Sequence, residues 1–321
     1  MQLTKLLFAA LLLAGSQPVA AQQKARVIGI LSLSAKPTLR DEVFERRLRE
    51  LGWVDGRNVK VEYRFAANKV ERLAVLADEL VRLKVDVIVA QSTTSVQAAK
   101  NATRTIPIVS ISADPVGNGF VASLARPGGN ITSVSMMAPD LEGKHLEFLR
   151  EFLPRISRVA YLGHRNDPSH RLFVKHAQDG GANLGIQIQP VIIERPEEIE
   201  EAFSAMRKGR ADALIVQPLF ANVMGLGPRI AELAAKDGLP TISSADIFAE
   251  AGGLMHFGPD PLATYERVAF YVDRVLKGAN PAVTPLEQPQ KFTLVINLKT
   301  AKRLGLKTPP SLISRADKVI Q

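Results

Sequence analysis

Apolar residues along this chain follow two alternating patterns. Short aliphatic and β-branched runs read as strands, and apolar residues three or four apart read as helices. Arg26 to Leu31 is a strand-like run that ends in Ser32-Leu-Ser34. The spacing of Phe44, Leu48 and Leu51 predicts a helix over about 38–51, ended by Gly52. Val59 to Tyr63 alternates as a strand, and Leu73, Leu76, Leu80 and Leu83 mark a helix over 70–83. Val85 to Ala90 is a continuous apolar strand, as expected for one covered on both faces. It opens into Gln91-Ser-Thr-Thr-Ser95 and a helix through Ala98 and Ala99, and Ile106 to Ile111 is the next strand.

The order then repeats. Arg158 to Leu162 matches Arg26 to Ile30, and Ile186 to Ile192 takes the place of Val59 to Tyr63. Ala211 to Val216 matches Val85 to Ala90, and Leu239 to Ile242 matches Ile106 to Val109. Spacings of about 20–32 residues are those of βα units. Strands alternating with helices predict a parallel, doubly wound α/β sheet, here in two similar Rossmann-like domains. The total of 321 residues has room for both. The tail adds a strand near Gly252 to Phe257, a helix over 264–277 and a linker marked by Pro281, Pro285 and Pro289. A last strand at Phe292 to Ile296 and a helix at Leu298 to Leu304 follow. Such a tail is long enough to cross back between the domains.

The first residues are read as outside the fold. Lys5, the apolar stretch Leu6 to Ala14 and the small-residue site Val19-Ala20-Ala21 read as a secretory signal peptide over 1–21. No later run reaches the length of a membrane span. The expected product is therefore exported, without stable membrane insertion.

Composition narrows the chemistry. The absence of cysteine removes disulfides, thiol nucleophiles and Cys-based metal sites. Aromatic residues make up only 6%, too few for a nucleic-acid stacking platform. The net charge of +9 is spread among interleaved acidic residues and reads as a solvated basic surface. There is no phosphate-binding G-x-x-x-x-G-K-[ST] loop and no G-x-S-x-G nucleophile elbow. Gly225-Leu-Gly227 lacks the third glycine of a dinucleotide fingerprint and reads as a turn. The five histidines form no metal-binding pattern, and no cofactor or metal is expected.

Polar residues at strand C-termini carry the remaining chemistry. Open α/β sheets bind ligands there, where loops feed helix N-termini. The first domain offers Ser32, Ser34, Gln91, Ser92, Thr93, Thr94, Ser112 and Asp114. The second offers Asn166, Asp167 and Ser169, then Gln217, then Ser243, Ser244 and Asp246. Each is also a residue type common at helix N-caps or turns, so single positions admit either role. Four consecutive polar side chains at Gln91 to Thr94 exceed what one cap requires. Phe220, Phe248, Phe257 and Tyr265 are aromatic candidates for the pocket.

Several long segments resemble one family. These are Leu48-Arg-Glu-Leu-Gly-Trp53, Leu80 to Ala90, Asp114-Pro-Val-Gly117, Val121 to Thr132, Gly252-Gly-Leu-Met255, Lys291 to Lys302, Pro309-Pro-Ser-Leu312 and Arg315-Ala-Asp317. Over nearly the whole chain after residue 21, they resemble the substrate-binding proteins of ABC transporters, in the branch that includes tryptophan- and tyrosine-type uptake systems. The resemblance implies a type I periplasmic-binding fold with two domains and a three-segment hinge, crossing near 131–135, 254–258 and 284–290. The first domain would hold 22–132 and about 258–286, and the second 133–257 and about 287–321. It implies a periplasmic, monomeric receptor for a small ligand, delivered to a permease powered by a separate ATPase. A ligand carboxylate would sit on the backbone N–H groups at Thr93 and Thr94.

The chain departs from the family at Gln91-Ser92-Thr93, where a glycine-containing turn is usual, so the family's aromatic amino acids do not carry over automatically. Asp114-Pro-Val-Gly117 reads as a tight turn. Two other functions fit the same sequence. One is an exported hydrolase with a Ser–His–Asp set fed by His164 or His256. The other is a periplasmic sensor module that reports ligand occupancy to a separate receptor.

Overall fold

The computed structural model describes residues 25–222 and 225–321, so the segment read as a signal peptide lies outside the described residues. The chain forms two lobes, each a mostly parallel sheet with helices on both faces. The first sheet holds β1 (Arg26–Ser32), β2 (Val59–Phe65), β3 (Val87–Ala90), β4 (Ile108–Ser112) and β5 (Ile131–Ser135). Their order is β2-β1-β3-β4-β5, and every pairing is parallel. The second sheet holds β6 (Arg158–His164), β7 (Gln187–Ile193), β8 (Ala213–Val216), β9 (Thr241–Ser243), β10 (Met255–Pro259), β11 (Phe292–Asn297) and β12 (Lys318–Ile320). Its order is β12-β11-β10-β9-β8-β6-β7, with only β10 and β11 antiparallel. The short last strand β12 has no strong apolar pattern and is absent from the sequence reading.

The helices are α1 (Leu39–Glu50), α2 (Leu73–Arg82), α3 (Thr93–Ala102), α4 (Glu142–Phe152), α5 (His170–Leu184), α6 (Ile199–Lys208), α7 (Pro218–Asn222), α8 (Gly227–Lys236), α9 (Pro261–Leu276), α10 (Leu298–Arg303) and α11 (Pro310–Arg315). Each sheet is buried on both faces, so its central strands are apolar throughout rather than alternating. In β3, Val87 and Val89 face α1 and α9, whereas Ile88 and Ala90 face α2 and α3. The second sheet repeats the arrangement. Tyr161 and Ile215 pack with α4 and α5, and Leu162 and Val216 pack with α6 and α8.

The tail completes the first lobe from a distance. Helix α9 presents Val268, Ala269 and Val272 to the same cluster as Phe44 and Leu48 of α1. Arg46 of α1 pairs with Glu266 of α9, and farther along Trp53, in the turn after α1, donates to Asp273 of α9. The expected boundaries at 132 and 257 fall inside strands. Strand β5 pairs with β4 through Ser135, and β10 pairs with β11 through Pro259. The chain leaves each sheet only after the ladder ends, so the crossings come just past 135 and 259. In the third crossing, Glu287 still bridges Val134 before the chain enters β11.

Candidate functional site

A cleft with about 120 Å³ of enclosed space, open to solvent at its mouth, lies between the C-terminal ends of the two sheets. Helices entering from the first lobe frame it. The start of α3 contributes Ser92 and Thr93, α1 contributes Arg40, and α9 contributes Pro261, Thr264 and Tyr265. The end of β4 contributes Ile111, Ser112 and Ala113, and the following crossover contributes Met136 and Ala138. From the second lobe come Asp167, Phe173, Pro218, Leu219, Ser244 and Asp246.

The α3 start presents backbone N–H groups to the cleft. Ser92 is the extended N-cap, and its hydroxyl accepts from the Ser95 amide at 3.1 Å. The Thr93 and Thr94 amides precede the first intrahelical donor, so they are free to meet a ligand, and the helix dipole favours negative charge there. The Thr93 hydroxyl accepts from the Ala113 amide at 3.1 Å, which ties the α3 start to the end of β4. Next to it, the Ser112 hydroxyl is buried and has no protein partner. Across the cleft, the Ser244 hydroxyl is buried and equally unpartnered. Buried hydroxyls are normally paired, and of the unpartnered ones these two line the cleft, whereas those of Ser110 and Tyr161 do not.

Asp167 supplies the carboxylate of the second lobe. Its Oδ1 accepts from the Ser169 amide at 2.8 Å and its Oδ2 from the Gln217 side chain at 2.9 Å. Burial pushes the Asp167 carboxyl up to about 6, against the hydrogen bonds from Ser169, which favour its ionised form. Gln217 is fully buried behind it. The Gln217 carbonyl also accepts from the His164 amide at 2.7 Å, which fixes the orientation of the side-chain amide. At the mouth, Arg40 of α1 pairs with Asp246 of the second lobe.

The structure sorts the sequence candidates. Gln91, Ser92, Thr93, Ser112, Asp167 and Asp246 line the cleft. Gln91 is already held, donating to Asp41 at 2.7 Å. Gln217 stands behind Asp167. Thr94 starts α3, but its hydroxyl is bonded to Ser92. Ser32 and Ser34 bond to each other at 2.9 Å in the loop after β1 and stay out of the lining. Asp114 closes its own turn, accepting from the Val116 and Gly117 amides. Asn166 also lies outside the lining, its amide donating to His164 Nδ1. Ser32, Ser34 and Asp114 spend their side chains on local turns, and Asn166 contributes its backbone amide to its turn.

Of the aromatic candidates, Tyr265 lines the cleft. Phe220 and Phe248 are core residues beside α6 and α8, and Phe257 packs against Phe148 and Phe292. Arg40, Met136 and Phe173 were missed because they sit on helices or in a crossover, where no strand-end pattern points to them. Ser244 stood in the polar set after β9, and only its orphan hydroxyl distinguishes it.

The proposed hydrolase set does not assemble. His256 lies between the Ser243 carbonyl and the Thr293 hydroxyl, and His164 takes the Asn166 amide; neither lines the cleft. Among the described residues no group of acidic or histidine side chains could hold a metal ion, and no helix is long and apolar enough to cross a membrane.

Two doubly wound lobes with a ligand-sized cleft between them define the type I periplasmic-binding fold. The chain belongs to the ABC transporter substrate binding protein family, whose model matches residues 26–320. It is therefore a binding protein, not an enzyme; it binds a small ligand and works with an ABC transporter. A tyrosine-binding protein of Clostridioides difficile is 28% identical over 292 residues, which cover 88% of this chain and 82% of the relative. The structure of an ABC domain from Streptococcus pneumoniae in complex with L-tryptophan is 24% identical, with a TM-score of 0.83 over 92% of this chain and all of that one. A ligand-free, open substrate binding protein with adhesive properties from Clostridium difficile is 25% identical, with a TM-score of 0.67 over 92% of this chain and all of that one.

Proposed function

We propose that this chain is an exported solute receptor that captures a small carboxylate-bearing molecule, an amino acid or a related acid, and hands it to an ABC permease driven by a separate ATPase. The observation that carries this reading is the pair of buried, unpartnered hydroxyls of Ser112 and Ser244, one from each lobe, lining the same cleft. The α3 start would hold the carboxylate, and Asp167 would accept from a donor group at the other end of the ligand. Ile111, Met136, Phe173 and Tyr265 would enclose its apolar part. The tyrosine-binding relative and the tryptophan-bound structure support an amino-acid class of ligand. The overall shape follows that complex more closely than the ligand-free open structure, which supports reading the two lobes as closed. The two lobes would be the bodies that open and close, about the crossings past 135, past 259 and before 292. Delivery in the periplasm, as a monomer, follows from the exported reading.

The test is a thermal-shift survey of refolded protein with amino acids, aromatic acids, small carboxylates, sugars and purines. A ligand at 100 times its Kd stabilises the native state by about 2.7 kcal/mol, enough to move the midpoint by several degrees. A saturable hit among the carboxylates, chemically unchanged after incubation, supports the proposal. A hit confined to sugars or purines overturns the carboxylate site.

A further inference from the structure

The Asp114-Pro-Val-Gly117 motif, expected to be a simple turn, also reaches the other lobe. The Asp114 side chain holds the turn by accepting from the Gly117 amide at 2.8 Å, and the Asp114 carbonyl accepts from the Asn118 side chain at 2.6 Å. The same Asn118 amide group donates to the Ser169 hydroxyl of the second lobe at 2.8 Å. Gly117 lies so close to that lobe that a Cβ on it would stand 2.9 Å from Leu172 Cδ1, on α5. A side chain at 117 would collide first with the Asp114 carboxylate of its own turn, and then with the Leu172 side chain of the other lobe.

Both ends of this contact lead directly to the cleft. Asp114 follows Ala113, which lines it. Ser169 is fully buried, and its amide donates to Asp167 Oδ1, whose carboxylate also lines it. An unbroken path thus runs from the Asp167 carboxylate through Ser169 to Asn118 and the turn of the first lobe. Opening the lobes must break the Asn118–Ser169 bond, and loosening Ser169 loosens the group that orients Asp167.

We propose that the Asp114–Asn118 turn is an interlobe clasp, and that Asn118 is a positioning residue that favours the closed arrangement and couples it to the orientation of Asp167. Asn118 does not line the cleft, so its effect on ligand capture passes through the closed population. The inference does not depend on the class of ligand.

The test uses the full chain with no ligand added. The natural absence of cysteine lets spin labels be placed at Glu71→Cys and Lys236→Cys, exposed positions on opposite lobes, for pulsed electron–electron distance measurements. Two populations of distance are expected. Asn118→Ala and Ser169→Ala should each lower the short-to-long ratio about three- to tenfold, the effect of one hydrogen bond. The double variant should lower it no further, because both substitutions remove the same contact. Thermal midpoints separate this from general damage, since an interlobe bond leaves each lobe's core intact. Unchanged distributions, additive effects in the double variant, or a wild-type protein with only the long distance would overturn the clasp. A failed ligand survey would leave these distances unaffected, so the two proposals fail separately.

Discussion

Arg40, the second residue of α1, pairs with Asp246 of the opposite lobe across the mouth of the cleft, with side-chain exposures of 21% and 24%. Together with Asn118 and Ser169, this pair bridges the lobes by side chains alone, but it differs in being ionic and partly wet. Exposed pairs contribute up to about 1 kcal/mol, and salt screens them. Arg40→Ala should therefore weaken ligand binding about three- to fivefold at low salt. Wild-type affinity should fall between 50 and 500 mM salt, and the variant should lose most of that dependence. Titration calorimetry at both salt concentrations measures it. Equal salt dependence in both proteins would show that the pair does not hold the lobes together.

Ser112 and Ser244 should separate affinity from stability. Neither hydroxyl has a protein partner, so Ser112→Ala and Ser244→Ala remove a buried polar group that contributes no internal bond. Melting midpoints should stay level or rise slightly. Affinity should drop about tenfold for each, the value of one ligand hydrogen bond in a dry site. Loss of stability without loss of affinity would assign the hydroxyls a structural role.

Asp167 should make stability fall as pH rises through a defined window. Its carboxyl ionises near 4 in the unfolded chain and is pushed up to about 6 by burial in the folded one. Below about pH 4 both states are protonated and there is no penalty. Between about 4 and 6 the folded state holds a proton that the unfolded chain releases, so stability falls by about 3 kcal/mol, and above 6 the penalty is constant. In Asp167→Asn this slope disappears, so the stability of the variant relative to wild type should rise from pH 4 to 6 in denaturant melts. A flat difference would place Asp167 in a wetter setting.

His256 should show the opposite slope. Burial pushes its imidazole down to about 4, from an unfolded value near 6.5. The stability it contributes is full above 6.5 and is lost as pH falls toward 4. His256→Gln should therefore lose less stability than wild type over that interval, measured by the same melts. An unchanged acid-side slope would mean that His256 does not titrate there.

The second lobe carries a close helix crossing whose two glycines do not line the cleft. A Cβ on Gly180 of α5 would stand 2.8 Å from the Gly143 Cα of α4, a backbone atom that cannot swing away. Gly180→Ala should cost about 1–3 kcal/mol by forcing α4 and α5 apart, despite the better helix propensity of alanine. Chemical denaturation checks this, and an unchanged midpoint would mean that the crossing is slack.

The architecture was legible because it rests on periodicity. Continuous apolar runs such as Val85 to Ala90 announce strands covered on both faces, and the repeated order announces a second lobe. Of the strand-end candidates, Ser92, Thr93, Ser112 and Asp167 line the cleft. The strand ends could not show that Ser32, Ser34 and Asp114 spend their side chains on their own turns, because that depends on loop geometry. Arg40 and Phe173 were invisible for the converse reason. They reach the cleft from helices, whose spacing says which face is buried but not which neighbour it meets. The expected crossings near 131–135 and 254–258 coincide with β5 and β10, because such segments look alike whether they connect lobes or finish a ladder.

Helix α9 has a consequence for the order in which this chain can acquire structure during synthesis. All five strands of the first sheet are complete by Ser135, yet the face formed by Val87, Val89 and Val109 is covered by residues from Tyr265 to Leu276. The whole second lobe up to β10 emerges in between. Helix α1 covers part of that face early, but the part that α9 covers stays open until the polypeptide is nearly finished, so the first lobe cannot settle early in the way a contiguous domain can. Closure of that face waits on residues more than a hundred positions further along, so the first lobe and the tail must finish folding together.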